Sequence, residues 1–227
     1  MKPYYEDSKS GIVIYHGDCR VIVPQLGTVD LVITDPPYGI GEARGKNKSR
    51  GRLAVSKDYG ISDWDNSPPP SWLIELIRSM SKYQVFFGGN YFSLPPSSCW
   101  LVWDKVNGES DFADCELAWT NFPKAVRRIQ WRWAGMLQED MSNKEYRCHP
   151  TQKPLAVMKW VISQAPKECK TLLDPFMGSG TTLVAAKALG LSAIGVEMDE
   201  SYCESAAKRL SQEILDFSSP EATHEPA

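Results

Sequence analysis

Between Thr171 and Glu197 the chain runs strand, glycine turn, helix, strand, acid, and few folds accommodate that order. Thr171-Leu172-Leu173 reads as a strand entering Asp174-Pro175-Phe176-Met177-Gly178-Ser179-Gly180-Thr181-Thr182. A helix follows from Leu183 to Leu189 with Gly190 in the C′ place, then the strand Ser192 to Val196 ending at Glu197. This is the arrangement of a nucleotide-binding βαβ unit. Gly178 and Gly180 let the backbone come close to a ligand, and Glu197 can grip both hydroxyls of a ribose. On this feature alone a Rossmann dehydrogenase stays open, although an acid precedes the glycines and G-x-G-x-x-G is not met.

The second constraint is Thr34-Asp35-Pro36-Pro37-Tyr38-Gly39, which follows the apolar strand Val29 to Ile33. Pro36 and Pro37 have no N–H and fix φ near −65°, so the corner presents carbonyl oxygens without competing donors. With the Asp35 carboxylate and the flat face of Tyr38 it forms a socket for a flat ring carrying an amino group. An Asp before Pro at a strand end is also an ordinary turn.

The remaining segments continue the α/β alternation. Strands are expected at 11–15, 85–89, 100–105 and 114–119, and helices at 72–80, 155–165 and 200–214. A short amphipathic segment lies at 21–26, and polar loops at 107–111 and 135–147. Asp18 sits just past a strand end, where a helix N-cap is the plain reading. Residues 41–60 hold Arg44, Lys46, Lys48, Arg50, Arg52 and Lys57 against Glu42 and Asp58, a net +4 with little apolar anchorage. The stretch 41–66 therefore reads as a mobile basic loop after the Asp-Pro-Pro-Tyr corner. Residues 121–133 carry Lys124, Arg127, Arg128 and Arg132 among Phe122, Trp131 and Trp133, without an acid. Basic residues interleaved with aromatics suit a nucleic acid; a strand with its tryptophans in the core and its arginines solvated reads equally well.

Composition narrows the class. At 227 residues the chain suits one domain over 1–216 with a Ser/Pro/Glu-rich, disordered tail at 217–227. It has no run of 18 apolar residues and no apolar stretch behind Met1, so neither a membrane span nor a signal peptide is expected, and the protein is read as cytoplasmic. Six cysteines without a Cys-x-x-Cys pair read as buried thiols. The adjacent Cys148-His149 does not chelate by itself, so no metal is expected. The net charge of −3 requires charge to be read locally.

Taken together, Asp35-Pro36-Pro37-Tyr38, His149-Pro150-Thr151-Gln152-Lys153-Pro154 and Asp174 to Thr182, in that order, resemble the signatures of the beta-class DNA amino methyltransferases. The resemblance covers about residues 11 to 210. It implies a Rossmann-like, seven-stranded, mostly parallel α/β sheet, circularly permuted so that the target-base half comes first, with a small target-recognition insertion at 121–148. It implies methyl transfer from S-adenosylmethionine to an exocyclic amine of a base flipped out of duplex DNA. Asp at position 35, rather than Ser, favours adenine N6; cytosine N4, adenine in RNA and a non-catalytic nucleotide- or DNA-binding module are the alternatives.

The family roles carried over make Asp35, Pro36, Pro37 and Tyr38 catalytic. The Asp35 carboxylate and the Pro36 carbonyl would accept the amino protons, and Tyr38 would stack on the base. Asp35, Asp174, Pro175, Phe176, Gly178, Ser179, Gly180, Thr181 and Thr182 would surround the cofactor, Glu197 would hold its ribose and Asp18 would lie near its adenine. Thr151, Gln152, Lys153 and Pro154 would close over it, with Lys153 on its carboxylate. Arg44, Lys46, Lys48, Arg50, Arg52, Lys124, Arg127, Arg128 and Arg132 would contact DNA. A bacterial, phage or archaeal origin, a second copy of the chain and a cognate restriction nuclease are compatible with the resemblance.

Overall fold

The computed structural model describes residues 1–39, 67–108, 113–134, 137–146 and 151–212. The basic loop with Arg44, Lys46, Lys48, Arg50 and Arg52, the Cys148-His149-Pro150 stretch and the tail lie outside the described residues.

In chain order the elements are β1 (Tyr5–Asp7), β2 (Ile12–His16), α1 (Cys19–Ile22), β3 (Val29–Thr34), α2 (Ser71–Ser79), β4 (Ser81–Phe87) and β5 (Trp100–Asp104). They continue with β6 (Cys115–Thr120), β7 (Arg127–Gln130), β8 (Trp133–Ala134), β9 (Leu137–Gln138) and α3 (Leu155–Gln164). The last are β10 (Thr171–Asp174), α4 (Thr181–Ala188), β11 (Ser192–Glu197) and α5 (Glu200–Ser211). One sheet takes nine of the strands in the order β1-β2-β11-β10-β3-β4-β6-β5-β7. The expected seven are its middle. The sheet is one strand wider at each edge, where β1 pairs antiparallel with β2 and β7 pairs parallel with β5. Tyr5–Asp7 carried no apolar alternation to announce it.

From β2 to β4 every pairing is parallel, whereas β6 runs antiparallel to both β4 and β5. Burial on both faces explains the near-continuous apolar reading of β3 and β10. Leu31, Ile33 and Leu172 pack in the layer that holds α3, α4 and α5, while Val32 and Leu173, one residue out of phase, pack with α1 and α2. Helix α2 buries Leu73, Ile74 and Ile77; of the apolar positions 72, 73, 76, 77 and 80 that mark it as a helix, Trp72 stays exposed.

Most element ends shift by a residue or a few from expectation, and three differences have a physical reason. Strand β4 begins at Ser81 rather than Val85, because Tyr83 and Gln84 pair with Leu31 and Val32 despite their polar atoms. Helix α4 begins at Thr181, whose turn follows directly from Gly180 at φ +75°. Within the span read as a loop, Leu137–Gln138 forms a two-stranded ribbon with Trp133–Ala134.

The topology places the site. Strand β10 continues to β11 on one side, and β3 leads to β4 on the other, so the winding reverses between the adjacent strands β10 and β3. In open α/β sheets ligands bind beyond the carboxyl ends of the strands at such a reversal.

Candidate active site

Four carboxylates follow the carboxyl ends of four neighbouring strands: Asp18 after β2, Glu197 ending β11, Asp174 ending β10 and Asp35 after β3. Residues 17 and 35 of the first half are thereby set beside residues 174 and 197 of the second; Gly17 N–H donates to the Glu197 carbonyl at 2.8 Å. At about 4.8 Å per strand the row spans about 14 Å.

At its centre Asp174 is buried, with Phe176 N–H on its Oδ1 at 3.2 Å. Burial is the main cause that pushes its pKa up to about 7; Asp35 and Glu197 add to the rise, and hydrogen bonds from Thr182 and Phe176 oppose it. A buried carboxylate held this way favours a cationic ligand. Next to it, Glu197 accepts Gly178 N–H at 2.9 Å on Oε2 and Asp199 N–H at 2.8 Å on Oε1. Burial raises its pKa despite these bonds. Each oxygen keeps a second lone pair for a hydroxyl donor.

Between the two acids runs the turn 175–180. Gly178 and Gly180 have φ of +51° and +75°, a region that L side chains rarely adopt. A Cβ on Gly180 would come within 2.6 Å of Ala206 Cβ, so glycine also permits α4 to start against α5. Arg209 of α5 pins the turn, its Nη1 donating to the Ser179 carbonyl at 2.6 Å and reaching Thr181 Oγ1 at 3.0 Å. Sequence reading missed Arg209, since a basic residue late in a helix ordinarily serves only the helix dipole.

Residues 151–154 reach the same crevice. Gln152 is buried; its Oε1 lies 3.4 Å from Ser179 Oγ, and its carbonyl accepts Trp133 Nε1–H at 3.0 Å. Pro154, at the N-cap of α3, has no capping side chain, and Glu145 compensates by accepting Leu155 N–H at 2.9 Å. The 137–146 stretch thus fastens the start of α3.

Lys153 departs from its expected role. Its Nζ donates to Asp35 Oδ2, lies 3.2 Å from Glu116 Oε2 and sits 4.5 Å from the centre of the Phe87 ring. Glu116 in turn pairs through Oε1 with Lys105 at 2.6 Å. Burial alone would lower the pKa of Lys153, but Asp35 and Glu116 outweigh it and hold the ammonium protonated. Burial likewise opposes ionisation of Glu116, and Lys153 and Lys105 outweigh that, so its pKa is below the usual carboxylate range. The expectation placed this lysine on a cofactor carboxylate; the fold gives it two protein carboxylates instead. Glu116 lay in an apolar strand without a motif, so nothing local announced it.

Tyr38 also has partners within the chain. Its hydroxyl donates to Asp35 Oδ1, and its ring stacks on Tyr91 at 4.8 Å between centroids and 14° between planes. Burial, with Asp35 and Glu116 nearby, raises its pKa and keeps the phenol protonated. A Cβ on Gly88 would stand 2.2 Å from the Tyr38 ring, so the φ +62° glycine after β4 makes room for it.

At the near end of the row, Asp18 is the N-cap of α1, accepting Arg20 N–H at 2.8 Å. The Arg20 guanidinium also holds it, chiefly accounting for a pKa below the usual carboxylate range. The N-cap reading is therefore realised, beside Glu197.

The basic residues of 121–133 divide. Phe122 is buried and Trp131 and Trp133 pack against the core, so these rings are not a stacking platform. Lys124 is half-buried and donates to the Gln164 carbonyl at 2.6 Å. Arg127, Arg128 and Arg132 are exposed; Arg128 approaches Asp104 at 3.9 Å. Among the described residues no cluster of His, Cys, Asp and Glu could hold a metal, and no helix is long and apolar enough to cross a membrane.

The chain is similar to known proteins over this whole arrangement. The family model N6_N4_Mtase, described as DNA methylase, matches residues 120–208. The type II methyltransferase M.HpaI of Haemophilus parainfluenzae is 28% identical over 242 residues, covering 85% of this chain and 71% of that protein. M2.LlaDCHI of Lactococcus lactis subsp. cremoris is 28% identical and covers 93% of each. Among solved structures, the M1.HpyAVI–SAM complex superposes with a TM-score of 0.57 at 26% identity, covering 88% of this chain and all (100%) of that one. The cytosine-N4-specific PvuII DNA methyltransferase, at 16% identity and a TM-score of 0.58 over 95% of this chain and 91% of its own, shares the fold.

Proposed function

Because the chain belongs to the DNA amino methyltransferases, we propose that it methylates the N6 amino group of adenine in duplex DNA, with Asp35 as the acceptor that readies the amine. Its activity as a DNA methyltransferase and its use of S-adenosylmethionine follow from the family; the choice of adenine and the residue roles are our reading. The observation that carries the reaction type is the switch-point row, in which Asp35 stands next to Asp174 and one strand further from Glu197; Asp rather than Ser at position 35 supports the choice of adenine.

The crevice fits the cofactor on its own chemistry. Asp174, buried and reluctant to ionise alone, suits the cationic amino acid part, and Glu197, with lone pairs to spare, suits the ribose diol. Gly178, Ser179 and Gly180 bring backbone close to both, and Gln152 stands over Ser179. When bound, S-adenosylmethionine would supply an electrophilic methyl group on its sulfonium.

An exocyclic amine on adenine is a poor nucleophile because its lone pair is delocalised into the ring. Asp35 and the Pro36 carbonyl would each accept one N–H, favouring a tetrahedral nitrogen and stabilising the positive charge that grows on it. After the methyl arrives, the surplus proton would pass from the nitrogen along its N–H contact to the Asp35 carboxylate and on to solvent. The base would take the face of Tyr38 that Tyr91 now covers, after flipping out of the duplex at a cost of a few kcal/mol. The exposed Arg127, Arg128 and Arg132, together with the 41–66 and 121–148 segments, would meet the phosphate backbone. The place of action would be the cytoplasm of a bacterial cell.

Digesting DNA treated with the protein and S-adenosylmethionine, and weighing the nucleosides, tests this. N6-methyladenine is the expected product. N4-methylcytosine would move the target, and methylation confined to RNA would remove DNA as the substrate.

A further inference from the structure

We propose that Lys153 is a positioning residue for Asp35, itself set by Glu116 and Lys105, so that an alternating row of charges fixes the acceptor carboxylate and hides the lysine's charge from the reacting nitrogen. The inference rests on the reaction proposed above.

The ammonium of Lys153 has three surroundings: Asp35 Oδ2, Glu116 Oε2 at 3.2 Å and the face of Phe87 at 4.5 Å. Its side chain is 9% exposed. A ligand carboxylate would have to enter beside two carboxylates already paired with the same cation. The Asp35 side, by contrast, gains definition. Tyr38 O–H fixes Oδ1 and Lys153 fixes Oδ2, leaving one further lone pair on each oxygen in a set direction. Such preorganisation is what an acceptor aimed at a developing charge requires.

Glu116 has a second effect. A lone lysine beside Asp35 would oppose the positive charge growing on the amine. Lys105–Glu116–Lys153–Asp35 alternates in sign and sums to zero, so the base meets an oriented acceptor rather than a cation. Strand β6 makes this possible by running antiparallel: Glu116 lies two residues past Ala118, the partner of Phe87, and so stands beyond the carboxyl end of β4.

The test compares wild type with Lys153→Met, Lys153→Arg and Glu116→Gln, reading kcat for methyl transfer at saturating substrates, Kd for S-adenosylmethionine and melting temperature. Lys153→Met should lose about 100-fold in kcat, the scale of a misplaced catalytic group, while cofactor Kd changes by less than about threefold. Lys153→Arg should restore part of the rate. Glu116→Gln should lose about tenfold in kcat, with cofactor Kd again little changed. The inference fails if Lys153→Met keeps the wild-type kcat and instead loses cofactor affinity, or if it only melts earlier. Should Lys153→Met not fold, a wild-type kcat in folded Glu116→Gln overturns it equally. Wild-type activity on DNA tests the underlying reaction, and the variant-to-wild-type ratios test the role of Lys153.

Discussion

A single carboxylate shows how position decides role. Glu197 and Asp35 both end or follow strands at the same edge, yet Glu197 accepts the backbone N–H groups of Gly178 in the glycine turn and of Asp199 after its own strand, whereas Asp35 accepts Tyr38 and Lys153. Glu197→Ala should therefore weaken S-adenosylmethionine binding by about 2 kcal/mol, since two charge-assisted hydrogen bonds are lost and partly replaced by water. Titration calorimetry that finds wild-type affinity would take Glu197 out of the site. Tyr91 is a different case, 48% exposed and stacked on Tyr38, the ring that we propose for the base. Breaking such a stack costs about 0.5–1.5 kcal/mol, so Tyr91→Ala should raise kcat/KM for duplex DNA a few fold and leave cofactor affinity alone. A fall in kcat/KM would mean instead that Tyr91 serves as a second wall for the base.

Among the elements, β7 separates two properties that its sequence mixed. Its pairing with β5 brings Arg127 and Arg128 to the edge of the sheet, exposed, while the flanking Phe122 and Trp131 turn inward. Each cation that neutralises a phosphate contributes about −0.9 to the slope of log K against log salt. Replacing both arginines with Ala should flatten that slope by up to about 2; an unchanged slope on cognate and scrambled duplexes would leave β7 purely structural. The same segment marks how far sequence reaches. Strands β3 and β10, the glycine turn and α4 were legible because apolar runs, glycines and strand-end acids carry their own local signals. The partners of those acids were not. Lys153 and Glu116 meet because β6 reverses direction beside β4, and Arg209 meets Ser179 because α5 packs on α4, neither of which leaves a local trace. Similarly, whether a tryptophan beside an arginine faces the core or a nucleic acid is decided by the neighbouring strand.

For the molecule as a whole, placing Asp174 at the switch point carries a pH dependence. Its pKa stands at about 7 in the folded protein against 3.8 for an ordinary aspartate. Between these values the unfolded chain releases a proton that the folded chain keeps, so this residue's contribution to stability falls as pH rises from about 4 to 7. Asp174→Asn should therefore gain melting temperature relative to wild type over that interval, and a difference independent of pH would contradict the assignment. A cationic cofactor favours the ionised form, so its binding should release a proton and strengthen through the same range. The chain order also joins the halves: Asp35, early in the chain, and Asp174, late in it, follow or end adjacent strands, and in the proposed reaction they would divide the work between amine and cofactor. The most direct measurement of that division uses Asp35→Ala with tritiated S-adenosylmethionine and duplex DNA, alongside cofactor binding by the same variant. Methyl transfer should be abolished while cofactor Kd stays within a few fold of wild type; transfer at the wild-type rate would contradict the account.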